Sequence, residues 1–165
     1  MLMTERLVLE EPNESHIERC IEILGDIPNN LYNPRGPATV ENSKQALTEW
    51  LKDRADYGIS YWTLKLKANP NIIIGFGGVT IAEYENEKWF NLFYRLDFNY
   101  TGKGYTTEMS KFAILYAKEY YPAIPIKAKT RPDNLPSIKI MKKIGMVYAR
   151  HFTDDYGISV EYIIP

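Results

Sequence analysis

Asn99-Tyr100-Thr101-Gly102-Lys103-Gly104-Tyr105-Thr106 follows an extended, apolar-rich stretch and precedes an amphipathic helical pattern, so its two glycines fall where a strand hands over to a helix. Such a corner suits an anion. The first N–H groups of a helix have no partner within it and lie at the positive end of its dipole, and phosphate oxygens satisfy both deficits. Gly102 and Gly104 lack a Cβ and can take the positive φ that a backbone cradle needs, and Lys103 adds a point charge beside it. Two nucleotide-binding patterns fail at this place. A Gly-x-Gly-x-x-Gly fingerprint ends here on Thr107, and the next strand closes as Lys127-Ala128-Lys129-Thr130 without an acid; a Walker loop would need glycine at Asp97 and a hydroxyl at Gly104.

Outward from this corner, Trp89 to Leu96 reads as a strand, and Met109, Phe112, Ala113, Tyr116, Ala117 and Tyr120 recur with helical spacing. Ile124 to Thr130 follows that crossover helix and is expected to run parallel to a neighbour. Asp133-Asn134 caps a short helix carrying Ser137, Met141 and Ile144 on one face, Gly145 ends it, and closing strands lie near 146–152 and 158–163. On the N-terminal side, Arg6 to Glu10 alternates as a strand. Pro12-Asn13-Glu14 opens a helix with Ile17, Cys20, Ile21 and Leu24, stopped by Gly25. A turn-rich loop from Pro28 to Pro37 leads into a helix over Val40 to Tyr57. Ser60–Lys67 and Ile72–Ile81 form a hairpin through a turn at Asn69-Pro70-Asn71, with another turn over Glu83 to Lys88. Glycines 75, 77 and 78 inside a strand mark a bulge or a close approach to the backbone. The expected fold is α/β (α+β), a mixed, mostly antiparallel central sheet of about six to seven strands with helices on both faces, in a single domain over 1–165.

A formal charge of −1 leaves no basic footprint for nucleic acid. The longest apolar stretch, around Ile72 to Ala82, is too short to span a bilayer, and the first residues lack a leader pattern, so a cytoplasmic protein without a membrane partner is expected. One cysteine, Cys20, excludes an internal disulfide and reads as a packed core thiol; two histidines, His16 and His151, give no zinc spacing, so no metal is expected.

Thr4-Glu5-Arg6-Leu7-x-Leu9, Tyr61-Trp62, Ile74-Gly75, Tyr94-Arg95-Leu96, Gly102-Lys103-Gly104-Tyr105-x-Thr107-Glu108, Asn134-x-x-Ser137 and Lys143-x-Gly145-Met146 stand in one order along nearly the whole chain. In this the chain resembles the GNAT superfamily of N-acetyltransferases, within it the branch that includes the ribosomal-protein N-terminal alanine acetyltransferases. The resemblance implies an acetyltransferase using acetyl-CoA as cosubstrate. It places Tyr94, Arg95 and Leu96 beside the pantetheine, the N–H groups of Thr101, Gly102, Lys103, Gly104, Tyr105 and Thr106 on the pyrophosphate, and Asn134 against the same arm.

Where many relatives carry a tyrosine that protonates the departing thiolate, this chain has Met141, and the resembling branch implies Ser137 in its place. Where relatives often carry a glutamate base, this chain has Asn91; Glu83, Glu108 or a water chain are the candidates to replace it, Glu108 also suiting a helix cap and Glu83 a hairpin surface. Deprotonating a lysine amine of pKa about 10.4 at pH 7 costs roughly 4.6 kcal/mol, an α-amine near 7.8 about 1.1 kcal/mol. A site without a strong base therefore suits an α-amine of a protein N-terminus, an amino acid or a small molecule. Substrate walls are expected from the Pro28–Pro37 loop, the following helix and the hairpin at Asp154-Asp155-Tyr156, the last also reading as plain turn residues. A non-catalytic acetyl-CoA or CoA sensor, and less so a dehydrogenase-like or kinase-like binder, stand as rivals; a monomer or homodimer fits either.

Overall fold

Eight strands form one sheet in the order β1-β2-β3-β4-β5-β6-β8-β7. The computed structural model describes residues 1–165. The strands are β1 (Leu2–Met3), β2 (Leu7–Glu10), β3 (Trp62–Leu66), β4 (Asn69–Tyr84), β5 (Glu87–Leu96), β6 (Ile126–Thr130), β7 (Val147–Asp154) and β8 (Gly157–Ile163). The helices are α1 (Ile17–Gly25), α2 (Val40–Tyr57), α3 (Tyr105–Tyr120) and α4 (Leu135–Lys143). The mixed, mostly antiparallel α/β architecture is the expected one, with the short β1 added at the edge. No helix is long and apolar enough to cross a membrane.

The alternation of strand side chains sorts them between two layers. Cys20, Ile23 and Leu24 of α1 and Leu47 and Trp50 of α2 enclose Tyr61 and Phe76 on one face. On the other face, Met109, Ala113 and Ala117 of α3 and Met141 of α4 cover Trp62, Leu64, Val79, Phe90, Leu92 and Leu96. Along β5, therefore, Leu92, Tyr94 and Leu96 face α3 and α4, while Asn91, Phe93 and Arg95 face α1 and α2. Asn91 bonds to Tyr61, and the Phe93 ring lies tilted against the Tyr61 ring at 5.0 Å between centroids, both within the α1/α2 layer. Cys20 is fully buried there, and burial pushes its thiol up to about 12, in keeping with a core residue.

The hairpins depart from the sequence expectation in their turns. The β3–β4 turn is Lys67-Ala68, closed by Leu66 opposite Asn69, while Asn69 and Pro70 begin β4. Register shifts on both sides of Lys65 absorb the irregular start that a proline without an N–H imposes. The β4–β5 turn is reduced to Glu85 and Asn86, both at positive φ, so Glu83 to Lys88 is not a loop; Glu83 and Lys88 pair across the hairpin. Gly75 lies at a register shift against β3, where Leu64 faces it and Lys65 faces Ile73, while the register against β5 runs unbroken from Gly75 to Tyr84. Gly77 and Gly78 leave room. A Cβ at Gly77 would lie 2.7 Å from Met109 Cε, and one at Gly78 would lie 2.7 Å from the Trp62 ring.

Candidate functional site

β5 and β6 are the one parallel pair and stay together for two residues, Phe90 opposite Ile126 and Asn91 opposite Lys127. Beyond Asn91 they diverge. β5 remains bonded to β4 as far as Leu96, and β6 to β8 as far as Thr130, so each turns an unpaired backbone edge into a V-shaped gap. The open edge of β5, residues 92–96, is about 16 Å long at roughly 3.3 Å per residue.

At the mouth of the V stands the glycine corner. Gly102 has φ 74° and Gly104 φ 83°, and no side chain caps α3. The amides of residues 102 to 107 have no protein acceptor, since the first intrahelical bond of α3 is from Glu108 N to Gly104 O. Thr101 is the exception among the expected set, its N–H and hydroxyl both donating to Phe98 O. Lys103 Nζ lies beside the corner on Asn99 O at 3.0 Å and over the Tyr100 ring. Tyr105 carries the Arg6 guanidinium on its ring, 4.6 Å from the centroid.

Glu108 is engaged by the N-terminal residues. Its carboxylate accepts from Thr4 Oγ1 at 2.5 Å, Arg6 N at 2.7 Å and Arg6 Nε at 2.7 Å, and Arg6 in turn reaches Lys103 O. Burial would raise its pKa, but these bonds outweigh it and hold the group below the usual carboxylate range. The N-terminal residues are thereby tied to the helix that presents the open amides.

Ser137 sits in the first turn of α4, where Asn134 caps the helix by accepting from Ser137 N at 3.2 Å. The amide nitrogen of Asn134 is not wholly free, as expected for a cap alone; one hydrogen goes to Thr130 Oγ1 at 2.8 Å, leaving the second for a ligand. The parallel crossover brings Ser137 to the V. Its Oγ is 2.6 Å from Tyr94 Oη, a pairing that sequence reasoning did not assign. Burial pushes the Tyr94 phenol up to about 12, with the Ser137 bond pulling partly back, so Tyr94 keeps its proton at neutral pH.

On the opposite face, Asn91 is held by its own amide, which donates to Tyr61 Oη at 2.8 Å; burial raises the Tyr61 phenol. Arg95 points away from the V and fastens the α1–α2 loop through Asn29 O at 2.9 Å and Asn30 Oδ1. Its guanidinium has no carboxylate partner, and burial lowers its pKa. Leu96 is buried on the α3 face. Glu83 is not brought to the site: it lies at the tip of the β4–β5 hairpin, half-exposed and 3.3 Å from Lys88 Nζ. Asp154 serves the closing hairpin, accepting from Tyr156 N and pairing with Arg131 at 3.1 Å. The structure thus gathers Tyr94, Ser137, Asn134 and the amides of 102–107 around one gap, with Asn91 at its apex.

Comparison with known proteins finds the same fold. The family described as "Acetyltransferase (GNAT) domain" matches residues 6–147. An uncharacterized N-acetyltransferase of Bacillus subtilis (strain 168), YnaD, is 26% identical over 145 residues, covering 88% of this chain and 81% of its own. A solved GNAT-family acetyltransferase from Bacillus anthracis superposes with a TM-score of 0.79 at 22% identity, over 99% of this chain and 96% of that one. RimL, a ribosomal-protein alpha-N-acetyltransferase solved with coenzyme A, gives a TM-score of 0.74 at 15% identity over 98% and 95%. At such identities the superpositions speak for the fold.

Proposed function

The chain belongs to the acetyltransferase (GNAT) family, and from that premise we propose that its V holds acetyl-CoA while a primary α-amine attacks the thioester. The observation that carries this reading is the open edge of β5 leading into unpaired amides at residues 102–107. Those amides, at the positive end of α3, suit the diphosphate. The edge at Tyr94, Arg95 and Leu96 suits the pantetheine amides, which add to it as a strand would. All of residues 1–165 serve this site as one domain.

In the reaction, the amine lone pair forms the new C–N bond and a backbone N–H of the β5 edge steadies the oxyanion. The C–S bond then breaks. Ser137, bonded to Tyr94, supplies a proton-bearing hydroxyl pair for the departing sulfur. β5 offers no titratable group at Asn91, and Glu83 and Glu108 are engaged elsewhere. This favours an acceptor whose amine loses its proton cheaply, at about 1.1 kcal/mol for an α-amine against about 4.6 for lysine at pH 7.

Calorimetry with CoA and DTNB detection of released thiol, using alaninamide, lysine and spermidine as acceptors, tests this. CoA binding with thiol release greatest for alaninamide is expected. Binding without release from any amine would make the chain a CoA sensor, and a preference for lysine or spermidine would remove the α-amine assignment.

A further inference from the structure

Thr4-Glu5-Arg6-Leu7 has no part in the chemistry above, yet it lies against the glycine corner, with Arg6 bonded to a residue 97 positions away in sequence. Arg6 is bonded there from backbone to guanidinium. Its N–H donates to Glu108 Oε1 at 2.7 Å, its carbonyl accepts from Lys67 N at 2.9 Å, and its Nε donates to Glu108 Oε2 at 2.7 Å. The guanidinium lies 4.6 Å from the centroid of the Tyr105 ring, and Nη2 packs against Gly104, 3.3 Å from where a Cβ would stand. Nη1 donates to Lys103 O at 2.9 Å. An exposed ion pair by itself repays little of the ordering of so long a side chain.

The bond to Lys103 O acts on the other side of the same peptide. The chain has no cis peptide, so Lys103 C=O and Gly104 N–H belong to one planar trans unit and point in opposite directions. Holding the carbonyl toward Arg6 therefore turns the Gly104 N–H away from Arg6, and that N–H has no protein acceptor. Gly104, at φ 83°, would otherwise leave this peptide free to flip. Donation to the carbonyl also polarises the unit and makes its N–H the stronger donor.

Resting on the reading of the V as a CoA site, we infer that Arg6 is a positioning residue for the diphosphate. It reaches the phosphate-binding amides from behind, clamps the Lys103–Gly104 peptide and aims the Gly104 N–H at the anion without touching the cofactor itself. Glu108 neutralises the guanidinium and sets its plane, so the fork shape of the group, more than its charge, carries the effect. A lysine would keep the charge and replace the fork with one flexible ammonium.

The test compares R6Q, R6K and T4V with the wild type, each as the full chain. Thr4 Oγ1 donates to Glu108 Oε1 at 2.5 Å and accepts from Leu7 N at 3.1 Å, so T4V loosens the same tie while leaving Arg6 Nη1 its bond to Lys103 O. Calorimetry reads the Kd for CoA, circular dichroism the Tm, and DTNB the thiol released with alaninamide. R6Q and R6K are each expected to raise the Kd for CoA about tenfold or more, whereas T4V, though it melts lower, binds CoA within twofold of wild type. A Kd within twofold of wild type in R6Q overturns the inference. So does a loss in T4V equal to that in R6Q, which would make Arg6 part of a structural tie, and so does full recovery in R6K, which would make it only a charge beside the phosphates. If R6Q folds poorly, R6K set against T4V decides the matter. Because the readout is binding, a wild type that binds CoA and releases no thiol loses the transferase reading while the Kd comparison still decides the role of Arg6; a wild type that does not bind CoA loses both.

Discussion

Replacing Gly102 or Gly104 by alanine separates backbone strain from ligand binding, because a third glycine supplies an internal control. Gly102, Gly104 and Gly145 have φ of 74°, 83° and 89°. A Cβ on Gly102 or Gly145 meets nothing within 4 Å, and one on Gly104 meets only Arg6 Nη2 at 3.3 Å, the far end of a flexible side chain. Each alanine is therefore expected to cost about 1–2 kcal/mol of left-handed strain, without added steric damage. For a chain of this length that is a fall in Tm of about 2–8 °C. Only G102A and G104A also disturb the backbone that carries the unpaired amides of residues 102–107. Losing one amide bond to a charged phosphate is worth about 1.5–3 kcal/mol, or roughly a 10- to 150-fold rise in the Kd for CoA. G145A, at the end of α4, should melt lower by a similar amount yet bind CoA as the wild type does. Circular dichroism gives the Tm values and calorimetry the affinities. Equal losses of CoA affinity in all three variants, or none in any, would refute the idea that these amides grip the diphosphate.

Y94F and S137A should each lower kcat about tenfold or more with KM for acetyl-CoA nearly unchanged, since each removes half of a 2.6 Å hydroxyl pair; steady-state kinetics with saturating amine reads the split. Glu108 has a folded-state pKa below its unfolded value, so its contribution is full above the unfolded value near 4.3 and is lost as pH falls through the folded one. E108Q should therefore melt lower than wild type at pH 7, with the gap closing below about pH 4, as followed by thermal melts from pH 3 to 7. Cys20, fully buried with its thiol pushed up to about 12, should not react with DTNB at pH 8 until the chain is unfolded in urea, which leaves the enzymatic thiol signal clean.

What the sequence disclosed was what short-range chemistry determines. The glycine corner depends on two residues without a Cβ at a strand-to-helix junction, and that demand is legible within eight residues. Asn134 and Gly145 mark the two ends of α4 for equally local reasons. Asn134 reaches Ser137 N, and Gly145 lets the amides of Gly145 and Met146 return to the carbonyls of Lys142 and Met141. The layers followed from periodicity. The hairpin turns did not, because Glu85-Asn86 takes two positive φ values without the glycine that usually announces such a turn, and Asn69-Pro70 looks like a turn while beginning a strand. Extending β4 to Tyr84 sets Glu83 opposite Lys88 near the hairpin tip, the surface position that was one of its two readings.

The remaining parts of the site are products of topology. Tyr94 and Ser137 meet only because α3 crosses over to lay β6 parallel to β5 and α4 then returns to the mouth of the gap. Arg95, one residue further along, meets Asn29 and Asn30 on the other side of the sheet, since strand neighbours point to opposite faces. A motif such as Tyr94-Arg95-Leu96 thus names three adjacent residues whose side chains are divided between the two faces of the sheet. Tyr94 points to Ser137 on α4, Arg95 to the α1–α2 loop, and Leu96 into the core beneath α3. The same alternation puts Thr80 and Asn91 together on the α2 face, where Asp53 arrives from a separate helix. The polar side chains of the α2 face are thus drawn from β4, β5 and α2, three elements that no single stretch of sequence displays together.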